Sequence, residues 1–256
     1  MKSNSCQSQL AEDSSSLAGS GIRLAAESRW DEFARIDAYT YIMTALPRGD
    51  RHAFWQSGET VVSEELLPAI RKNAVPAGTA LEIGCGVGRL VFPLSRHFQQ
   101  VLGLDISPEM VRQATALAVE RNAPNARFLT LADLQLYAHD FGLTPGSVDF
   151  IYSLIVFQHI VDFRSIKDYF ELVSRLLSPR GAAYLQFDTR PQDLTYRVKN
   201  SLPDFLLPRF LRRGIRRIRR TTAELESSFA ENNLDLIETV GTATEYHRYV
   251  LRRSRG

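Results

Sequence analysis

Cysteine is nearly absent from this chain of 256 residues: Cys6 lies in a polar tail and Cys85 far along the sequence. Two thiols so separated make no disulfide framework, which fits a reducing compartment and predicts a cytoplasmic protein. Long apolar runs are missing too. The longest, near residues 150–161, is interrupted by Gln158 and His159 and is too short to cross a bilayer. The amino-terminal segment has no apolar core of the secretory kind. Metal-ligand spacing is also lacking, because His52, His97 and His139 are scattered and no H-x-x-x-H pair or paired acidic spacing occurs. His139-Asp140 reads as a solvated neighbour pair, so no metal is expected. No internal repeat is visible.

Excess charge of either sign is small overall, at +2. The balance conceals a local asymmetry. Residues 209–220 hold seven arginines and residues 248–255 four more, whereas the chain through residue 208 has 20 Lys and Arg against 23 Asp and Glu. Attraction to an anionic partner is therefore expected to be local. The remaining composition is that of a globular chain long enough to bury one α/β core with additions.

The most informative stretch is Ala80-Leu-Glu-Ile-Gly-Cys-Gly-Val-Gly-Arg89. Ala80, Leu81 and Ile83 read as a buried strand, Leu90 to Leu94 begin a helical pattern, and Gly84, Gly86 and Gly88 lie between. Glycines there let the backbone turn sharply and bring bare N–H groups against a ligand. Arg89 stands where a dinucleotide-binding loop would place its third glycine. Residues 101–104 read as a second strand ending in Asp105, where a carboxylate can accept hydrogen bonds from both hydroxyls of a ribose. Ser107-Pro108 then starts a helix as N-cap and first-turn proline.

Leu-Glu-Ile-Gly-Cys-Gly-Val-Gly-Arg and Gly-Leu-Asp-Ile-Ser-Pro-Glu-Met, at this separation, resemble the first two motifs of class I S-adenosylmethionine (SAM) dependent methyltransferases of the bacterial small-molecule type. The resemblance covers about residues 28–252 and is strongest over 80–187. It implies a Rossmann-like α/β fold: a seven-stranded, mostly parallel sheet with an antiparallel last strand, helices on both faces, a helical amino-terminal leader and a lid insertion. It also implies SAM as cofactor and S-adenosylhomocysteine (SAH) as product, with Gly84, Cys85 and Gly86 at the methionine end, Asp105 at the ribose, and Ile106, Asp133 and Leu134 at the adenine. Met110 and Ser153 complete the implied cofactor set.

Along the chain, residues 1–27 form a polar tail expected to be disordered, 28–75 a helical leader, and 76–256 the SAM-binding domain. A helical pattern over 28–46 carries Trp30, Phe33, Ala34, Asp37, Tyr41 and Met43; residues 54–58, Phe-Trp-Gln-Ser-Gly, read as a loop before a helix over 61–72. These segments resemble the leader of many small-molecule methyltransferases, which lies over the cofactor; packing on the outside of the sheet is the other reading. A helix is expected over 108–121, strands over 127–131 and 148–154, an amphipathic helix over 165–178, and a fifth strand over 182–187 after a Leu177-Ser-Pro-Arg-Gly181 turn. That turn resembles a family hallmark with Arg180 in place of a glycine. Residues 188–220 form the basic lid insertion, followed by a helix over 223–232 and a closing antiparallel hairpin.

Methyl transfer to a hydroxyl profits from a base. His159, directly after the fourth strand, is nearest the implied pocket, and an imidazole titrates near neutral pH; bracing the following helix is its other reading. His247 and Asp188 are weaker candidates, and Tyr39 and Tyr41 could orient substrate. The aromatic leader and apolar insertion point to a small or amphiphilic acceptor, with O-methylation of a secondary metabolite, sugar or lipid in first place. Three readings of the arginine run stay open: a solvated lid helix, contact of residues 205–220 with an anionic membrane surface, and nucleic-acid phosphates. Against nucleic acid, no RNA-binding module or aromatic stacking platform accompanies it. An RNA or protein methyltransferase and a non-catalytic SAM-binding protein are the alternative functions, and oligomeric state is open.

Overall fold

The computed structural model describes residues 27–202 and 217–254. Its centre is a seven-stranded sheet of order β3-β2-β1-β4-β5-β7-β6. The strands are β1 (Thr79–Ile83), β2 (Gln100–Asp105), β3 (Ala126–Thr130), β4 (Val148–Ser153), β5 (Leu177–Phe187), β6 (Leu234–Val240) and β7 (His247–Arg253). The pairs β1–β2, β1–β4, β2–β3 and β4–β5 are parallel, and β7 runs antiparallel to both β5 and β6. This is the expected Rossmann-like arrangement. The inner strands are short apolar runs because both of their faces are covered.

Alternation along the strands divides the core. Leu81, Ile83, Leu102, Leu104 and Ile151 pack with Phe170, Val173, Leu225 and Phe229. Ala80, Val101, Phe150 and Tyr152 pack with Val62, Leu66, Ile70 and Leu94. The helix Phe163–Leu176 is the clearest contributor to the first layer, burying Ile166, Tyr169, Phe170, Leu172, Val173 and Leu176 along one stripe. Each such side chain stabilises by roughly 1.5–3 kcal/mol.

The leader begins with α1 (Glu27–Ile42), broken at Asp37, whose backbone is extended (φ −170°). The Asp37 carboxylate accepts from the Thr40 hydroxyl (2.5 Å) and backbone N–H (3.3 Å), restarting the helix after the break. Then α2 (Arg51–Val61) leads through a π-helical turn, Val62–Leu66, into α3 (Leu67–Lys72). Residues 54–58 thus lie inside a helix and are not the loop that their glycine and serine suggested. Asp50 caps α2 by accepting the Ala53 N–H (2.8 Å), and Gly58 is there for closeness. A Cβ at Gly58 would lie 2.2 Å from the Arg89 carbonyl oxygen. Gly58→Val should therefore push the leader off the glycine loop and destabilise the protein by about 1–3 kcal/mol. A thermal melt tests this, and an unchanged midpoint would refute the close approach.

Two further differences have local causes. The Leu177-Ser-Pro-Arg-Gly181 segment is a bulged start of β5 and not a turn before it, since Val148 pairs with Leu177 and Phe150 with Ala182. Ser178 Oγ ties the bulge to Asp149 Oδ1 at 2.7 Å. In the insertion, α8 (Leu194–Ser201; α4 to α7 being Val91–Ser95, Pro108–Glu120, Leu131–Tyr137 and Phe163–Leu176) is capped by Asp193, which accepts the Tyr196 N–H (2.7 Å). The returning segment is pinned beyond the carboxyl ends of β4 and β5: the Ile218 N–H donates to Gln158 O (2.7 Å) and the Arg220 N–H to Asp188 O (2.8 Å). Most of the arginine run, residues 203–216, lies outside the described residues, as does the tail 1–26. The last helix, α9 (Thr222–Glu231), is capped by Thr221.

Candidate active site

The carboxyl ends of β1, β2 and β4 meet where the strand order reverses, the place at which open α/β sheets receive ligands. The loop after β1 turns with Gly84 and Gly86 at φ +76° and +52°. A Cβ at Gly84 would lie 2.4 Å from Val156 Cγ2, and one at Gly86 would lie 2.6 Å from Ile42 Cδ1. Glycine is thus demanded both by backbone conformation and by what crowds the loop. The Gly84 and Cys85 N–H groups donate to Leu104 O (2.7 and 3.1 Å). Cys85 is buried, and burial pushes its thiol well above its ordinary value, so it is an inert filler here.

Asp105 organises this corner. Its Oδ2 accepts the Gly86 N–H (2.8 Å) and its Oδ1 the Ser107 N–H (2.9 Å). Burial raises its carboxyl above the usual aspartate value, the backbone donors pull it back, and the nearby Asp31 raises it further. A carboxylate offers about four lone-pair sites, so the backbone donors Gly86, Ser107 and Ile106 leave capacity for a ribose hydroxyl. The glycine cradle and this acceptor fit SAM.

Asp31 was not anticipated from the sequence. It accepts the Ser107 hydroxyl (2.5 Å) and the Glu109 N–H (3.0 Å), while Ser107 Oγ accepts the Met110 N–H (3.1 Å). The leader is thereby latched to the start of α5 beside Asp105. A lone aspartate one turn into an amphipathic helix gives no local sign of this. Around the latch, Met110 packs with Ala34, Ala38, Phe54 and Val87 beneath Trp30, Ile42 and Trp55. The leader aromatics therefore pack over the glycine loop. Tyr39 sits edge-on to Phe54 and Trp55, and Tyr41 stacks on Phe33 at 4.0 Å.

The other expected residues fall in varied roles. Ile106 is half-buried and Leu134 buried, both on the same core layer. Asp133 forms a capping box: its Oδ2 accepts the Thr130 N–H and hydroxyl (both 2.8 Å), and its own N–H donates to Thr130 Oγ1 (3.0 Å). Ser153 is fully buried and donates to Ile83 O (2.9 Å), stitching β4 to β1. Just beyond it, Ile155 holds φ +64°, a strained conformation for a β-branched residue of the kind stored at functional sites. His159 ends the 3₁₀ turn Phe157–His159, packs edge-on against Trp30 at 5.8 Å, and lies 3.2 Å through Nε2 from the Gln158 side-chain nitrogen.

Asp188 and His247 are framework. Asp188 is buried and receives Arg190 through Nε (3.0 Å) and Nη2 (2.5 Å). His247 is buried, hydrogen-bonded to Thr189 Oγ1 (2.9 Å) and packed on Tyr249 at 4.1 Å, and burial lowers its pKa.

Beneath the glycine loop lies a polar group that the sequence did not disclose. Glu82 and Arg89 are 3% and 4% exposed, and both face the apolar layer under α2 and α3. Tyr152 OH donates to Glu82 Oε2 (3.3 Å), and Arg89 Nη1 to Ser57 Oγ (3.3 Å). Arg89 thus supplies charge to the core in place of the pyrophosphate-loop glycine. Burial holds the Glu82 carboxyl well above its ordinary value of 4.5, with Arg89 opposing. The folded chain therefore keeps a proton that the unfolded chain has released, and stability falls as pH rises from the ordinary value toward the raised one. Glu82→Gln should flatten that slope; calorimetric melts at a series of pH values, parallel for both proteins, would refute it.

A methyltransferase-domain family matches residues 81–183. A ubiquinone biosynthesis O-methyltransferase of Albidiferax ferrireducens is 30% identical over 86 residues, 34% of this chain and 32% of that protein. An uncharacterized RNA methyltransferase of a Nostoc species is 35% identical over 71 residues, 27% of this chain and 15% of that protein. The chain thus spans less than a third of the length of each of these curated relatives. Among solved structures, magnesium protoporphyrin IX methyltransferase from Synechocystis with bound SAH shares the fold at a TM-score of 0.59, with 21% identity over 89% of this chain and 98% of that one. Residues 81–183 are thus similar to a methyltransferase domain, and the chain shares its fold with solved methyltransferases.

Proposed function

We propose that the protein methylates a small or amphiphilic acceptor, at a hydroxyl, using SAM and leaving SAH. The observation that carries this reading is the roof over the site: Ile42 presses on Gly86 and Trp30 on His159, so the chain's own leader closes the pocket. A site closed by a leader latched to α5 favours a small molecule and excludes water. The similarity to O-methyltransferases of ubiquinone biosynthesis supports a hydroxyl acceptor.

In this reading Gly84, Cys85 and Gly86 hold the methionine end, Asp105 the ribose, and Ile106, Met110 and Leu134 the adenine side. Asp133 and Ser153 would act mainly by fixing the edges of the pocket. SAM supplies a methyl carbon already activated by its sulfonium. The protein's work is then to align the acceptor oxygen, keep the site dry and remove one proton. His159 would take that proton on its imidazole.

Calorimetric titration with SAM, SAH and NAD is the first test. Binding of the two adenosyl ligands alone is expected; binding of NAD, or of none, would overturn the assignment. The arginine run and the Nostoc relative support a second reading, methylation of RNA. It would be favoured by turnover on RNA that falls steeply with salt.

A further inference from the structure

Asp31 does more than the helix it touches requires. α5 already has its own N-cap in Ser107, whose Oγ accepts the Met110 N–H (3.1 Å), and its first-turn acid, Glu109, is engaged by Arg112 at 2.6 Å. The leader nevertheless sends a second carboxylate to this helix end. Asp31 Oδ1 accepts the Ser107 hydroxyl (2.5 Å) and the Glu109 N–H (3.0 Å), and its Oδ2 receives Arg35 (2.9 Å). Its side chain is only 14% exposed. Hydrogen bonds to a carboxylate at a helix N-terminus are of the stronger, charge-assisted kind. Gln113 Nε2 fastens the same half of α1 by donating to Ala34 O (3.0 Å).

What these bonds hold down is the roof of the site. Trp30, next to Asp31 in the chain, lies on His159, and Ile42, past the break at Asp37, lies on Gly86, whose N–H binds Asp105. Beyond Ile42 the chain crosses to α2 through residues 43–50, most of them exposed, with Gly49 at φ +79°. α2 itself is fixed, because Gly58 lies against the Arg89 carbonyl. The roof helix is thus joined to a fixed helix by an exposed connection and bonded to α5 at its other end. That is the layout of a hinge and a latch. The latch also meets the site at one residue, since Ser107 gives its hydroxyl to Asp31 and its N–H to Asp105.

We propose that Asp31 is a positioning residue, the latch of a leader that must lift before SAM enters and SAH leaves. The inference rests on the reading of the glycine loop as the SAM site. The latch bonds join protein groups alone, so they hold the leader to the same extent with the site empty or filled. Their loss then speeds entry and exit alike and leaves the equilibrium between them nearly unchanged. A residue that merely supports the pocket behaves differently, because its loss weakens binding mainly through faster release.

Stopped-flow fluorescence of the full chain with SAH is the test, since both tryptophans, Trp30 and Trp55, lie in the leader. The slope of the observed rate against SAH concentration gives entry, and the intercept gives exit. In Asp31→Ala both are expected to rise about tenfold, with a calorimetric Kd within about threefold of the wild type. Asp31→Asn, whose Oδ1 still accepts both donors, should recover most of the wild-type rates. Unchanged rates, a change in one rate alone, or an asparagine variant no better than alanine would overturn the latch. Ser107→Ala approaches the same contact from the other side and leaves the Ser107 N–H on Asp105. It should also speed both rates, and the double variant should be no faster than Asp31→Ala; fully additive effects would overturn the proposal. A wild-type chain that binds no SAH overturns the reading of the site, whereas binding with rates indifferent to Asp31 overturns only the latch.

Discussion

Asp105→Ala is expected to weaken SAH and SAM binding by roughly 100-fold, about 3 kcal/mol, because Asp105 has two tasks. In the proposed reading it accepts a ribose hydroxyl, and hydrogen bonds to a charged acceptor contribute about 1.5–3 kcal/mol each. It also receives the Gly86 and Ser107 N–H groups, so its removal leaves two inward-facing donors unpaired and frees the glycine loop to leave its binding conformation. Asp105→Asn should fall between the two, since one carboxamide oxygen still accepts while its NH2 opposes a backbone donor. Titration calorimetry with SAH measures the effect, and circular dichroism checks the fold. An unchanged dissociation constant in the alanine variant would remove the ribose assignment.

His159→Ala is expected to lower turnover by about 10²–10⁴ while SAH affinity stays near that of the wild type. The split between the two readouts separates chemistry from architecture. His159 touches Trp30 and neighbours Gln158, whose carbonyl accepts the Ile218 N–H at 2.7 Å. A purely bracing histidine would, when removed, loosen the leader and the insertion together. Lost SAH binding and an early melt would then appear with the lost activity, and the base role would fall. His159→Gln, which keeps a hydrogen-bonding side chain of similar reach, should recover the melt but not the rate.

Much of the candidate site could be read in the sequence because its parts are contiguous. A strand, a glycine turn and a helix start occupy neighbouring positions from Ala80 to Leu94, and steric rules tie each residue type to its backbone conformation there. Asp105 and the Ser107 cap were legible for the same reason, and so was the amphipathic helix ending at Leu176, whose period is local. The segment Phe54–Gly58 failed the same test. Its glycine serves a contact with Arg89, 31 positions away in the chain, and a close approach leaves no mark on neighbouring residues. Asp133 was ambiguous, since an aspartate after a strand suits a cap and a ligand equally well; in the fold its Oδ2 closes the cap.

What the residue order by itself determined is the parallel α/β plan, the conformation of the glycine loop and the position of its acidic partner. All three follow from short-range sterics and the alternation of buried side chains. What only the tertiary structure decided is how charge and cover are distributed around that loop. Glu82 with Tyr152, Arg89 with Ser57, Asp31 with Ser107, Trp30 with His159 and Arg220 with Ile160 join residues distant in sequence. Pairs of that kind exist only once separate elements have packed, because each partner's burial, and with it the strength of each charge and hydrogen bond, is created by the other elements of the fold.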